Sequence, residues 1–136
     1  MDSTAQFVSN LNVARFVEKL QIEDDPAKRA SLQRLLLKEL ESLGFNCEQL
    51  GNVQRQIAEG RRRIEIQQAV VERLTTNVQD VELAENTLNN LVEIQRVFEQ
   101  YRQAILGATD RNRAIWKHSP RSPSHKCRND VADRGA

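Results

Sequence analysis

The sequence predicts an all-α fold: two antiparallel helical hairpins, with four coiled-coil-like helices, followed by a disordered basic C-terminal tail. Three observations predict it. The 136 residues are rich in Gln, Glu, Arg and Leu and only 4% aromatic, which favours helices over strands. Apolar residues recur at alternating steps of three and four through residues 53–106, which keeps one side of each helix facing one partner. Residues 107–136 hold seven Lys and Arg, three Asp and few apolar residues, a composition typical of disorder.

Residues 45–106 are predicted to form the second and longer hairpin, around which the rest of the chain is organised. The chain is expected to reverse between Thr75 and Asp80, and Asp80 can cap the helix that follows by accepting a backbone N–H bond. A loop this short makes the two helices antiparallel neighbours. The apolar seams of the two helices run along Val53, Ile57, Gly60, Ile64, Gln67, Val71, Leu74 and Val78, and along Val81, Ala84, Leu88, Leu91, Gln95, Phe98, Arg102 and Ile105.

These seams are interrupted by a glycine and by polar residues. If the chain reverses near residue 77, Gly60 falls near Arg96 and Phe98, a large-to-small match that explains a glycine inside a helix by close packing. Gln67, Gln95 and Arg102 have two interpretations. They set the register of the pairing at a cost in stability, or they lie at the edge of the seam where the helices diverge.

Residues 1–44 are predicted to form the first hairpin. Its first helix is expected over residues 10–22, after a frayed N-terminus. The second helix is expected over Pro26–Leu43, because Asp25 can cap it and proline is favoured at the first helical position. Gly44 is placed to end this helix in a left-handed conformation.

The junction between the hairpins, residues 44–51, has two interpretations. In the first, Phe45 and Leu50 are apolar loop side chains that plug the space between the hairpins. In the second, Asn46 caps the third helix early and Gln49 completes a pair that resembles a capping box.

Charge and hydropathy exclude several classes of protein. The formal net charge of +1 combines −3 over residues 1–106 with +4 over residues 107–136, so the chain lacks the strong positive balance of a dedicated nucleic-acid binder. No apolar run is long enough to cross a bilayer, and the N-terminus lacks the apolar stretch of a secretory signal. We therefore expect a cytoplasmic protein with Cys47 and Cys127 as free thiols.

No catalytic or metal-binding set is predicted. Both histidines, His118 and His125, lie in the tail, where a flexible segment with Cys127 offers too few fixed ligands for a metal. The sequence has no glycine-rich phosphate loop and no nucleophile motif. We expect no enzyme activity, no cofactor and no small-molecule substrate. Trp116, the one tryptophan, can dock back on the bundle or anchor a partner.

The basic cluster before the tail consists of Arg55, Arg61, Arg62, Arg63 and Arg73. Three successive residues spread around a helix and cannot all face one row of phosphates, whereas Arg55 and Arg62 share a face. One interpretation is contact with nucleic acid or an acidic partner. The simpler one is a solvated face on which the arginines pair with nearby glutamates.

The exposed parts of the two seams are the predicted contact surface for a protein partner or a second copy of the chain. Narrow seams with few aromatic residues bury little surface to offset the entropy of ordering the chain. The expected function is that of an interaction or structural protein acting through protein contacts or self-association. The alternative is a weak nucleic-acid-binding accessory protein that uses the arginines and the basic tail. The predicted interface residues are Val53, Ile57, Gly60, Ile64, Val71, Leu88, Leu91 and Phe98.

Two motifs carry a resemblance. The first reads N-x-x-x-F…L-x-x-E-D-D-P-x-K-R-x-x-L-x-x-L-L between Asn12 and Leu36. The second reads I-x-x-G…I…Q…L and then A-E-x-x-L…Q…R-x-x-I-L between Ile57 and Leu106. On these motifs the chain resembles small alpha-helical hairpin proteins that are common in soil and plant-associated alphaproteobacteria. The glycine-containing turn usual in the second motif is replaced here by Thr-Asn-Val-Gln from residue 76. The resemblance implies a pair of helical hairpins and implies no activity.

Overall fold

Four α-helices make up the described part of the chain. A computed structural model describes residues 3–74 and 78–116, and these residues contain no strand. The predicted all-α fold of two helical hairpins is therefore confirmed. The helices are α1 (Ser3–Ile22), α2 (Pro26–Ser42), α3 (Cys47–Arg73) and α4 (Val78–Trp116).

The last helix continues further than the sequence indicates. α4 runs ten residues past Leu106, where the sequence places the start of the tail, and ends at Trp116. A single glycine and no proline lie in that extension, so little there opposes helix formation. Residues 117–136 lie outside the described residues. They include His118, His125 and most of the predicted tail, so the disorder of the tail stays a prediction.

The helix boundaries around the two inner loops follow the local signals. Asp25 caps α2, with its Oδ2 accepting from Lys28 N at 3.2 Å. Gly44 has a φ of 99°, the left-handed conformation that glycine adopts without a steric penalty. Asn46 caps α3, with its Oδ1 accepting from Gln49 N at 2.9 Å, which confirms the interpretation in which α3 starts early.

Two other boundaries differ from the prediction. α1 begins at Ser3 and not near residue 10, and its second turn already contacts α2: Ser9 is buried and its Oγ lies 3.3 Å from Ser42 Oγ. α4 begins at Val78, so Asp80 lies within its first turn and is not the cap. An acidic residue in the first turn still stabilises the helix, because its negative charge lies near the positive end of the helix dipole.

α4 is the central helix, and it contacts each of the other three. α3 runs antiparallel to it, since Gln95 of α4 bonds to Ile57 and Gln67 of α3 bonds to Ala84. The α1–α2 hairpin lies against another side of α4. α1 and α3 therefore point in the same direction with little direct contact between them.

The two hairpins share one hydrophobic core. Buried leucines of α1 and α2 pack with buried residues of α3 and α4, and such continuous burial is the main stabilising term of a small helical domain. The core residues are Leu20, Leu36, Leu40, Leu43, Leu50, Val53, Ile57, Ile94, Val97, Phe98, Tyr101 and Ile105.

α4 carries a second apolar stripe that the predicted seams do not include. Ile94, Val97 and Tyr101 are buried, and they are spaced three and four residues apart, as on one helix face. This stripe faces the N-terminal hairpin, while Gln95 lies on the seam that faces α3. The second stripe is the reason that the two hairpins form one body.

Cys47, in the first turn of α3, is disulfide-bonded. The expectation of a free thiol at this position is therefore wrong. That expectation came from the reducing state of the cytoplasm, which is an argument about the compartment and not about geometry. The other cysteine of the chain, Cys127, lies outside the described residues.

Candidate protein-interaction surface

The register of α3 against α4 is fixed by two glutamine side chains. Gln95 is buried and its Nε2 donates to the carbonyl oxygen of Ile57 at 2.7 Å. Gln67 Nε2 donates in the opposite direction, to the carbonyl oxygen of Ala84 at 3.0 Å. A buried amide loses its bond if the helices slip, so the two bonds specify one alignment. Of the two interpretations of these glutamines, register setting fits the geometry.

Gly60 gives Gln95 the space that this contact needs. A Cβ at Gly60 would overlap Gln95 Oε1 and lie 3.1 Å from Gln95 Cδ. The glycine thus serves close packing, as predicted, but its direct partner is Gln95 and not Arg96 or Phe98. The predicted pairing is displaced because an alignment drawn from an assumed reversal point is set only to within a few residues.

The end of α1 is held by side chains from α2 and α4. Arg29 of α2 is buried, and its Nη1 donates to the carbonyl oxygens of Leu20 and Glu23, both at 2.8 Å. Asn90 of α4 donates from Nδ2 to the carbonyl oxygen of Gln21 at 3.0 Å. Leu20 and Gln21 belong to the last turn of α1 and Glu23 follows it directly, a region where carbonyls lack donors within the helix. α1 therefore ends level with residue 90 of α4.

The same arginine connects α2 to α4. Arg29 Nη2 lies 3.0 Å from Glu93 Oε1, and Gln33 Nε2 donates to that oxygen at 2.6 Å. The Arg29 side chain is 8% exposed and that of Glu93 is 36% exposed. The ion pair is thus shielded on one side, and removing one partner leaves the other poorly solvated.

Tyr101 closes the opposite end of the bundle. Its hydroxyl donates to the carbonyl oxygen of Gly44 at 2.6 Å, and its ring centre lies 6.0 Å from that of Phe45. Burial, with a smaller effect of the Glu41 charge, raises the pKa of Tyr101 to about 12. The phenol therefore stays a hydrogen-bond donor at neutral pH.

A groove lies between α1 and α3, because these two helices both pack on α4 but have little contact with each other. Two adjoining hollows of about 810 and 380 Å³ make up most of it, and they share lining residues from α1, α3 and α4. Leu91 and Phe98 of α4 form part of the apolar floor, while Glu18 and Arg63 stand on opposite walls. The groove is open to solvent along its length.

Beyond the groove, the α3–α4 hairpin extends past the end of the N-terminal hairpin. From residue 90 back to residue 78, α4 continues for about 18 Å at 1.5 Å per residue. Neither α1 nor α2 covers this segment, and Val78 and Leu83 are 81% and 68% exposed. We call this surface the uncovered end; its exposed apolar residues are Ile66, Val70, Val78 and Leu83.

A further exposed strip follows the outer side of α1. Phe7 and Ile22 are 67% and 80% exposed, and Leu11 is also exposed. Together with the exposed Arg15 and Glu18, they recur at steps of four, four, three and four, which places them on one side of a helix. We call these five residues the outer face of α1.

The predicted interface residues lie mostly inside the molecule. Val53, Ile57 and Phe98 are buried in the core, and of these three Val53 and Phe98 also line the floor of the groove. The other five are partly buried along the contact of α3 with α4: Gly60, Ile64, Val71, Leu88 and Leu91. Sequence reasoning missed the uncovered end, because the sequence does not show where α1 stops relative to α4. The available signal was a difference in helix length. The chain turns at Pro26 after a short first helix, whereas the helices predicted within residues 53–106 are longer.

The arginine cluster is exposed on α3. Arg61 and Arg62 face solvent, and Arg63 Nη2 lies 3.5 Å from Glu59 Oε1 in an exposed pair. Arg55 donates to Asn52 Oδ1. Neighbours on the same helix thus engage two of the four predicted contact residues, and exposed pairs of this kind contribute little to stability.

Within residues 3–74 and 78–116, no group of three or more His, Cys, Asp or Glu side chains is placed to hold a metal ion. No helix in these ranges combines the length and apolar character needed to cross a bilayer. Comparison of the chain with family models, curated proteins and solved structures finds no match. The resemblance to alphaproteobacterial hairpin proteins therefore stays a prediction.

Proposed function

We propose that this chain is a protein-interaction module that acts by binding protein surfaces and catalyses no reaction. The observation that carries the proposal is the uncovered end, where Ile66, Val70, Val78 and Leu83 remain exposed on a hairpin of fixed register. A cluster of exposed apolar side chains on a small protein is typical of a contact surface for another macromolecule.

The groove between α1 and α3 adds a concave region to this exposed surface. Its floor residue Leu91 lies beside Thr87, and Ile66 lines the same hollow on the α3 side. The groove thus leads directly onto the uncovered end. A trough between two helices, with the apolar Leu91 on its floor and polar side chains on its walls, suits an amphipathic helix of a protein partner, and Glu18 and Arg63 can orient that helix by charge.

The test is capture of binding proteins from the native cell extract by the full chain, with and without nuclease. We expect a stoichiometric protein partner that survives nuclease and is lost from the Leu83→Glu variant. Asn89→Glu is the matched control: Asn89 is also exposed on α4, but it lies six residues from Leu83 and therefore on another side of the helix. Both positions are exposed, so neither variant should unfold the chain.

The proposal fails if Leu83→Glu and Asn89→Glu retain the same proteins as the natural chain. It also fails if every captured protein disappears on nuclease treatment. That second outcome would favour the nucleic-acid alternative, with Arg55, Arg61, Arg62, Arg63 and the basic tail as contacts. Its signature would be binding that weakens steeply with salt and is lost when residues 107–136 are deleted.

A further inference from the structure

We propose that the outer face of α1 pairs with the same face of a second copy of this chain, in an antiparallel arrangement about a two-fold axis. The inference rests on the proposed function, since it names one protein partner, but it uses a different surface from the uncovered end and shares only Glu18 with the wall of the groove. The residues that carry it are Phe7, Leu11, Arg15, Glu18 and Ile22, all of them exposed.

The first argument is the apolar content of this face. Phe7 is 67% and Ile22 80% exposed, although α1 also buries Leu20 against the core. A helix that lies on the surface of a bundle needs one apolar stripe to dock, and α1 carries a second stripe on its solvent side. Coiled-coil partners meet through stripes with this spacing of three and four residues.

The second argument is charge complementarity in one register. When two copies of α1 lie antiparallel and cross between residues 16 and 17, Leu11 of one copy lies opposite Ile22 of the other. In the same alignment Arg15 lies opposite Glu18 of the second copy. The two-fold axis repeats both pairs, so the apolar pairs and the opposite charges match at the same time.

A single pair of helices is a small interface, so the dimer is expected to be weak and to depend on concentration. The test is sedimentation equilibrium of the full chain over a wide concentration range. We expect a monomer–dimer equilibrium for the natural chain. Arg15→Glu and Glu18→Arg should each weaken dimerisation about tenfold or more, because each change places like charges opposite one another twice.

The decisive variant is the double reversal, Arg15→Glu with Glu18→Arg. It restores opposite charges across the two-fold axis and should recover the dimerisation constant of the natural chain. Arg96→Glu, an exposed change on α4, is the control and should leave the equilibrium unchanged. Circular dichroism confirms that each variant remains helical.

The inference is overturned if the natural chain stays monomeric at the highest concentration reached. It is also overturned if dimerisation persists equally in both single variants, since the copies would then meet elsewhere, or if the double variant fails to recover. A monomeric chain that still captures a partner through Leu83 would remove this inference and leave the proposed function in place.

Discussion

At the scale of single residues, Tyr101 is the side chain whose burial can be measured most directly. It is the one tyrosine of the chain, so the near-ultraviolet absorbance of tyrosinate reports this residue alone. Because it is buried and donates to the carbonyl of Gly44, we expect its pKa to be about 12 in the folded protein. In urea the pKa should return to about 10. Equal titration curves in the two conditions would contradict the burial.

The same residue makes stability depend on alkaline pH. A folded-state pKa above that of the unfolded chain means that the contribution of Tyr101 is complete below about pH 10 and is lost as the pH rises towards about 12. The free energy of unfolding, measured with denaturant, should therefore fall across this window. Tyr101→Phe should remove this part of the pH dependence and lower stability at neutral pH by about 1 kcal/mol, for the lost hydrogen bond.

Gly60 and Gln95 are expected to be coupled. Gly60→Ala should destabilise the natural chain by about 1 kcal/mol, because the new Cβ displaces the Gln95 amide from its bond to Ile57. In a Gln95→Ala background the same change should stabilise the chain by up to about 1 kcal/mol, the ordinary preference of helices for alanine over glycine. Denaturant unfolding of the four proteins in this cycle measures the reversal. An unchanged sign would mean that Gln95 does not occupy the space beside Gly60.

At the scale of the helix, the end of α1 depends on Arg29. Arg29→Leu leaves the carbonyls of Leu20 and Glu23 without this donor and leaves Glu93 with the Gln33 amide in place of its ion pair, so we expect a loss of about 2–4 kcal/mol in unfolding free energy. Glu93→Gln keeps an acceptor oxygen and should cost about 1 kcal/mol. If Arg29→Leu and Glu93→Gln lower the free energy of unfolding by the same amount, the hydrogen bonds from Arg29 to α1 contribute nothing to stability.

The helices themselves could be predicted because their signals are local. Asp25 and Pro26 fix the start of α2, and an asparagine cap fixes the start of α3. Features that depend on two elements at once could not be predicted. Arg29 looks like an ordinary charged residue in its sequence, and its role depends on where α1 ends. The second stripe of α4, with Ile94, was hidden because residues on two faces of a helix alternate in the sequence.

The candidate interaction surface also depends on more than one helix, so it could not be predicted from the sequence either. The periodicity of residues 53–106 predicts which residues meet between α3 and α4, but those residues are largely buried by that contact. The surface left for a partner depends on the relative lengths of the helices, which place Leu83 beyond the reach of α1. Phe7 was expected in a frayed segment, so its place on the outer face of α1 could not be foreseen.

At the scale of the whole molecule, one core joins both hairpins, so they should unfold together. Leu36 and Leu40 of α2 belong to the same cluster as Val53 of α3 and Ile94 of α4. Thermal unfolding followed by circular dichroism and by hydrogen exchange should give one transition, with equal protection limits in α2 and α3. Two separate transitions would mean that the hairpins are independent units.

The surface that this joint core leaves uncovered is the centre of the functional account. The measurement that tests it most directly places a photo-crosslinking amino acid at Ile66, on the uncovered end, and irradiates the full chain in its native cell. Glu72, exposed on another side of α3, takes the same probe as the control. We expect a defined protein adduct at Ile66 and none at Glu72. Adducts that are equal at the two positions, or absent from both, would contradict the account.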